Sequence, residues 1–146
     1  MKIFFLMLLV LFGVCFFSSN NATEIRVRVL SNSDSINDLE YKEEVVKYLK
    51  EVIFKDYELS DSSFEKNQKL IEEDLNLRFD NIFVTYENHT FRNKTYNGSA
   101  LKDGNYKTLL ISIGKGLGSN WWGSIFNNTL VKESTDEVKY EWYFGG

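Results

Sequence analysis

The chain has 146 residues, of which 43% are hydrophobic and 26% charged, a balance that fits one folded domain and excludes a disordered chain. Its formal net charge of −4 at pH 7 argues against nucleic acid or an anionic membrane surface as the main partner. The single cysteine, Cys15, lies in an apolar N-terminal run, so the rest of the chain holds neither a disulfide nor a cysteine-based zinc site.

The N-terminus has the composition of an export signal. A positively charged start precedes an apolar run over residues 3–17, which is shorter than the roughly 20 residues that a membrane-spanning helix needs. Ala22 is a small residue that suits cleavage, whereas Asn20 does not suit its position two residues earlier. We therefore predict that residues 1–22 are a signal peptide or an uncleaved anchor. Residues 23–146 then form one exported domain, which touches a membrane only through an uncleaved leader.

A strand followed by a helix is predicted at the start of that domain. Residues 25–30 alternate apolar and charged side chains, which is the period of a half-buried strand. Ser35, with Asp38 three positions later, resembles the capping box that marks a helix start. Apolar residues then recur at three- and four-residue spacing and predict one buried helix face, interrupted by Lys42. This face comprises Leu39, Val45, Val46, Leu49, Val52 and Ile53.

A second helix is predicted after the turn-forming residues 56–63. Ser60 or Asp61 is expected to cap it, and it is expected to run to about Leu77. The residues expected to face the core are Phe64, Leu70, Ile71, Leu75 and Leu77.

Four later segments have strand character. β-Branched and aromatic residues are frequent in residues 81–86, 90–96 and 105–114, and residues 137–144 alternate apolar and charged side chains. Helices that come early and strands that come late favour an α+β fold. We predict one mostly antiparallel sheet with two helices packed on a single face, and the strand over 137–144 at an edge of that sheet.

Residues 114–126, GKGLGSNWWGSIF, combine three alternating glycines with two adjacent tryptophans. The segment completes neither the phosphate-binding pattern GxxxxGK[ST] nor a GxGxxG motif that opens a helix, so we predict no cofactor. The glycines are better explained as residues that adopt positive φ angles at a strand end. Trp121 and Trp122 point to opposite faces of an extended segment. We expect at least one to be buried, while the other either packs in the core or contacts a partner.

Few side chains are candidates for catalysis. His89, the single histidine, lies in an expected turn, and neither a nucleophile-elbow serine nor a metal-binding spacing accompanies it. Asp34 and Asp38 are explained by capping at the start of the first helix, although they could also form the acid–base pair of a small hydrolase. The residues favour a protein that is not an enzyme and holds no metal.

Two segments of the chain resemble the stage II sporulation protein R family. Residues 25–42 are similar to its N-terminal signature, Arg-x-x-Val-x-Ala-Asn-Ser-Asp-Ser followed by Asp and a Leu-Lys pair. Residues 101–126 are similar to its second signature, in which Ala-Gly-x-Tyr precedes a strand, a Gly-x-Gly-x-Gly loop and Asn-Trp-Trp. The first match comprises Arg26, Val29, Asn32, Ser33, Asp34, Ser35, Asp38 and Lys42. The second comprises Gly104, Tyr106, Leu109, Ile113, Gly114, Gly116, Gly118, Asn120, Trp121, Trp122 and Phe126.

The chain departs from the family pattern at three of these later positions. Ser119 stands where the family usually has a histidine, and Gly123 and Leu130 stand where it usually has cysteines. If those cysteines form a disulfide in relatives, this chain lacks it.

The resemblance implies a signal and not a catalyst. Proteins of this family are exported from the forespore and trigger a membrane-embedded aspartic protease, which processes a sigma factor precursor in the mother cell. We therefore expect a secreted chain, or one in the intermembrane space of the sporangium, that binds the extracytoplasmic face of such a protease. The expected contact residues lie at strand ends that could share one edge of the sheet: Asn32, Ser33, Asp34, Ser35, Gly116, Gly118, Asn120, Trp121 and Trp122.

Two other functions remain open from the residues alone. A cell-wall glycan could stack on Trp121 or Trp122, since an exposed indole suits a sugar ring. A small exported hydrolase could use Asp34 and Asp38, provided that these carboxylates are not engaged as caps.

Overall fold

The structure, a computed structural model, describes residues 23–91, 95–96, 99–100 and 104–135. Helix α1 (Ile36–Tyr48) continues through a π-helical segment, Leu49–Ile53, into a short turn, Phe54–Asp56, and α2 spans Asp61–Arg78. The strands are β1 (Ile25–Leu30), β2 (Ile82–Phe91), β3 (Thr95–Tyr96), β4 (Ser99–Ala100), β5 (Gly104–Ile113), β6 (Asn120–Phe126) and β7 (Thr129–Thr135).

Five of these strands form one sheet in the order β2–β5–β1–β6–β7. The β1–β5 pair is parallel, and the other three pairs are antiparallel. The remaining two strands, β3 and β4, form a separate two-stranded ladder. The predicted α+β fold, with a mostly antiparallel sheet and two helices, is confirmed. The strand predicted over residues 137–144 lies outside the described residues.

Both helices begin at the serines that the sequence suggested. The Ser35 hydroxyl accepts a hydrogen bond from the Asp38 amide at 3.2 Å, and the Ser60 hydroxyl accepts one from the Ser63 amide at 3.3 Å. Each bond satisfies a backbone N–H group that has no partner within the first turn of its helix.

The buried face of α1 passes through the π-helical segment. Val45, Leu49 and Ile53 are fully buried at intervals of four residues. Residues four apart drift around a helix of 3.6 residues per turn, and the wider π turn offsets this drift, which keeps all three against the sheet.

The predicted core face of α2 is partly wrong. Phe64, Ile71 and Leu75 are fully buried, whereas Leu70 is 52% exposed and Leu77 is 88% exposed. At about 100° per residue, the three buried residues lie within a narrow sector, and the two leucines lie roughly a third of a turn away from it. Leu70 and Leu77 are therefore apolar residues on the solvent side of the helix.

The hairpin of β6 and β7 was not predicted. Its turn residues, Asn127 and Asn128, both have positive φ angles, of 50° and 60°, as the favoured two-residue hairpin turn requires. All residues of β6 from Trp121 to Ile125 are buried. A strand that is buried on both faces shows no alternation of apolar and polar residues, which explains the omission.

Side chains of α2 hydrogen-bond the outer edge of β2. Asn76 Oδ1 accepts a hydrogen bond from the Ile82 amide at 3.0 Å, and Glu72 Oε2 accepts one from the Val84 amide at 2.9 Å. Gln68 Oε1 accepts one from the Tyr86 amide at 3.1 Å. The acceptors are four residues apart on one helix face, and the amides are two residues apart on one strand edge. The part of this edge from Ile82 to Tyr86 is therefore closed to pairing with another strand.

Removing these acceptors is expected to reopen the β2 edge. The double variant Gln68→Ala with Glu72→Ala leaves two strand amides without acceptors, so we expect a lower Tm and self-association through the edge strand. Size-exclusion chromatography with light scattering measures the association. Glu73→Ala, an exposed carboxylate on the same helix, is the matched control. A monomeric double variant with the Tm of the control would show that the contacts contribute nothing.

Candidate functional site

The two family-like segments meet at one end of the sheet, where β1 and β5 both end. We call residues 31–38 and 114–120 the interlocked corner. The Ser31 amide donates to the Ser119 carbonyl at 3.2 Å, and the Gly118 amide donates to the Ser31 carbonyl at 2.9 Å. The Leu117 amide donates to the Asn32 carbonyl at 3.2 Å. The two segments therefore lie together at one end of the sheet, beside the interior strands β1 and β5.

Side chains of the first segment also hold the second. Asn32 Oδ1 accepts a hydrogen bond from the Lys115 amide at 2.9 Å. Asp34 Oδ1 accepts one from the Ser119 amide at 2.7 Å. The glycine loop is thus fixed at both ends by side chains that follow β1.

Asp38 organises the polar turn before α1. Its Oδ2 atom accepts hydrogen bonds from Asn32 Nδ2, at 3.0 Å, and from the Ser33 hydroxyl. These bonds, that from Ser33 first and that from Asn32 second, stabilise the charged form and lower the pKa of Asp38 below its ordinary value. Asp38 therefore joins the helix start to the residue that binds Lys115.

Acid is expected to loosen the corner through Asp38. Because the folded pKa is below the unfolded value, the stabilisation is complete above the unfolded pKa and is lost as the pH falls through the folded pKa. We expect the Tm of the wild type to fall more steeply than that of Asp38→Asn as the pH falls below about 4, the ordinary pKa of an aspartate. Glu72, whose pKa is also lowered, is present in both chains and cancels in the difference. If the Tm values of the wild type and of Asp38→Asn fall equally with pH, this role of Asp38 is refuted.

Lys42, which interrupts the apolar face of α1, is 2% exposed. Its Nζ atom donates to the Ser119 hydroxyl at 3.0 Å and approaches the Ser119 carbonyl oxygen at 3.5 Å. No role for Lys42 was predicted from its place in the apolar face. A buried lysine requires hydrogen-bond acceptors for its charged group. Its position within an apolar helix face could therefore have predicted a buried polar contact.

The glycines allow the loop to approach the end of β1. Gly114 and Gly116 have φ angles of 57° and 61°, as predicted. A Cβ atom on Gly118 would lie 1.9 Å from the Ser31 hydroxyl oxygen and 2.4 Å from the Ser33 carbonyl oxygen. The loop is a packing element of the corner.

Both tryptophans are buried, each 4% exposed, so the possibility that one of them is presented to a partner is not borne out. They do point to opposite faces. Trp121 packs with the core beneath the helices, and Trp122 lies on the other face of the sheet, where the Arg28 guanidinium sits 4.5 Å from its ring centroid. Phe91 meets the same indole edge-on at 5.1 Å.

This burial removes the basis for glycan stacking. Trp121 lines a cleft of about 300 Å³ between α1 and β7, which is bridged by an ion pair of 2.7 Å between Lys50 and Glu133. An indole that is 4% exposed leaves too little ring surface for a sugar to stack on.

The face of the sheet opposite the helices carries a second packed cluster. Arg26 is 3% exposed, pairs with Glu24 at 3.1 Å, and lies 4.5 Å from the Tyr106 ring centroid. Charged and aromatic side chains on this face stabilise one another through cation–π contacts. The cluster explains how Trp122 is buried on a face that none of the described helices covers.

The structure places the remaining candidates for catalysis, His89, Asp34 and Asp38, in a strand or in hydrogen bonds that shape the fold. His89 lies in β2 and not in a turn, and its pKa is lowered by burial and, second, by Arg28. Asp34 and Asp38 are both engaged in the hydrogen bonds of the corner. Within the described ranges, no group of three or more His, Cys, Asp or Glu side chains could hold a metal ion.

The nine expected contact residues differ in accessibility. Asp34 and Ser35 are exposed, and Trp121 and Trp122 are buried. The half-buried ones are Asn32, Ser33, Gly116, Gly118 and Asn120. Asn120 Oδ1 lies 3.4 Å from Arg28 Nη2, which connects the corner to the packed face opposite the helices.

A family model described as stage II sporulation protein R matches residues 21–135. The chain belongs to this family. It is 28% identical to the stage II sporulation protein R of Bacillus subtilis (strain 168) over 134 aligned residues, which cover 77% of this chain and 60% of the relative. The chain thus spans about 60% of the length of that curated relative. No solved structure matches the chain.

Membership in the family makes the chain a stage II sporulation protein. Both segments of the interlocked corner fall within the matched residues. Of the described helices, none is long and apolar enough to cross a membrane. Of the two positions where the family pattern has cysteines, Gly123 pairs with Glu133 and Leu130 pairs with Ile125 across the hairpin. The Leu130 side chain reaches toward Gly123, so that a Cβ atom there would lie 2.9 Å from Leu130 Cδ1.

Proposed function

We propose that this sporulation protein is an exported signal that activates a membrane-embedded aspartic protease by binding its extracytoplasmic face. The protease then processes a sigma factor precursor of the mother cell. The chain itself contributes no catalytic group and carries no cofactor. Its N-terminal leader, residues 1–22, directs export to the outside of the forespore or to the intermembrane space.

The observation that carries the proposal is the interlocked corner. Hydrogen bonds join the two family-like segments into one structure at a single end of the sheet. The polar side chains there bind the chain's own backbone and one another, which suits a shaped contact surface better than a reaction centre. Asp34 and Ser35 give this surface an exposed polar side.

Activation then follows from differential binding. If the corner fits the active form of the protease better than the inactive form, its binding shifts the population toward the active form. The shift is limited by the difference in affinity for the two forms. A chain with a rigid corner loses little conformational entropy on binding, which favours affinity.

Deletion of the gene in the spore-forming host tests this function. We expect the sigma factor precursor to remain unprocessed in the deletion strain and to be processed again when the wild-type chain is restored. Processing is followed by immunoblot through sporulation. Normal processing in the deletion strain would contradict the proposal.

A variant of the leader tests the proposed location. Leu8→Arg with Leu9→Arg places two charges within the apolar run and is expected to block export without changing the folded domain. This variant should accumulate and fail to restore processing. Full restoration by a chain that stays inside the producing compartment would show that export is not required.

A further inference from the structure

Two large aliphatic side chains are exposed at the interlocked corner. Leu117, in the glycine loop, is 75% exposed, and Ile36, the first residue of α1, is 67% exposed. The turn that follows β1 contacts the elements that carry both side chains: Asn32 hydrogen-bonds to the glycine loop, and Ser35 caps α1. Isolated surface leucines are common, so exposure by itself decides nothing.

Leu117 differs from an ordinary surface leucine in how firmly its backbone is held. Its own amide donates to the Asn32 carbonyl, and the next amide, of Gly118, donates to the Ser31 carbonyl. The flanking amides of Lys115 and Ser119 bind the side chains of Asn32 and Asp34. The Gly116 amide donates to the Ile113 carbonyl at 3.0 Å, so all five amides from Lys115 to Ser119 are hydrogen-bonded, while the side chain of Leu117 remains in solvent.

A rigid turn with a solvated apolar tip is suited to inserting into a preformed cavity, because the ordering cost is met before binding. We propose that Leu117, assisted by Ile36, is the anchor of the corner and enters an apolar pocket on a protein partner. This inference rests on the proposed function and assigns its contact residues. Trp121 and Trp122 then hold the sheet beneath the corner and do not touch the partner.

The charges around the anchor favour a protein pocket over a lipid surface. Asp34 and Glu40 are exposed near the start of α1, and Lys115, which is exposed in the glycine loop, offsets only one of these two negative charges. The chain has a formal net charge of −4. An anionic bilayer repels such a surface. A protein pocket with polar groups at its rim accommodates both the leucine and its acidic surroundings.

The test compares Leu117→Ser with Leu70→Ser in the deletion host. Leu70 is an equally apolar side chain, 52% exposed in the middle of α2, and serves as the matched control. We expect Leu117→Ser to lower the rate of precursor processing at least about tenfold, as loss of a binding anchor does. Leu70→Ser should process at the wild-type rate, and Leu117→Met should restore most of the activity. Immunoblots and circular dichroism of each purified full chain establish equal amounts and equal folding.

The outcomes separate the inference from the function on which it rests. If the wild-type chain does not restore processing, the proposed function fails. If the wild type restores processing and Leu117→Ser does so equally, only the anchor assignment is overturned. Sedimentation of the full chains with phosphatidylglycerol vesicles tests the lipid surface: equal partition of wild type and Leu117→Ser supports a protein pocket. A loss of partition that parallels the loss of processing overturns the protein pocket in favour of lipid.

Discussion

Gly118→Ala is expected to lower the free energy of unfolding by about 3 kcal/mol, the upper part of the range for overpacked sites. The new Cβ atom would overlap the Ser31 hydroxyl and the Ser33 backbone, which cannot both move without breaking the corner. Chemical denaturation followed by circular dichroism measures the change. We also expect the variant to lose signalling, because the loop no longer fits against the end of β1.

Gly116→Ala is the control for Gly118→Ala. Its φ angle of 61° is costly for alanine, but a Cβ atom there would lie no closer than 3.5 Å to a neighbour. The cost is then that of the left-handed conformation alone, about 1–2 kcal/mol. An equal or larger loss at Gly116 would show that close approach at Gly118 is not what stabilises the corner.

Trp122→Ala is expected to cost about 3–5 kcal/mol, the range for removing a large aromatic side chain from a packed site. The substitution empties a space between Arg28 and Phe91, both of which contact the indole. Trp122→Phe keeps part of the packing and should cost clearly less. Denaturation midpoints of the two variants measure the difference. Wild-type stability of Trp122→Ala would contradict the burial of this side chain.

This expectation determines how a signalling defect should be interpreted. A defect in Trp122→Ala reports loss of structure, because the indole is buried. A defect in Leu117→Ser reports loss of contact, because the leucine is exposed and its backbone bonds remain. Only the second variant therefore tests binding at the corner.

Local signals in the sequence were sufficient for much of the fold. The caps at Ser35 and Ser60 and the apolar spacing of α1 each depend on neighbours within a few residues. The period of β1 predicted a strand correctly, but the strand is not half-buried, because Arg26 is 3% exposed on the face opposite the helices. The hairpin of β6 and β7 offers only one local signal, the asparagine pair of its turn, because β6 is buried on both faces and shows no alternation of apolar and polar residues.

The candidate site divides in the same way. The meeting of the two segments could be predicted, because both follow strands and both are rich in turn-forming residues. The burial of Trp122 could not, since it depends on Arg28 and on a phenylalanine from β2. The exposure of Leu117 could not be predicted either, because an apolar residue in a loop is ordinarily expected to pack against the core.

One position at which this chain differs from its family pattern, residue 119, lies in the interlocked corner. Ser119 stands where a histidine is usual, and here its hydroxyl accepts from Lys42 while its amide donates to Asp34. The backbone role of this position is open to any side chain except proline, whereas the hydroxyl contact depends on serine. The corner can therefore keep its shape while the side chain at this position varies.

Amide hydrogen exchange at the glycine loop measures whether the corner is interlocked in solution. We expect the amides of Lys115, Leu117, Gly118 and Ser119 to exchange slowly in the wild-type chain, because each donates to a group in the turn after β1. Asp34→Ala should speed exchange at Ser119, and Asn32→Ala should speed it at Lys115. Exchange of all four amides at unprotected rates, while the amides of β5 stay protected, would show that the corner is not interlocked.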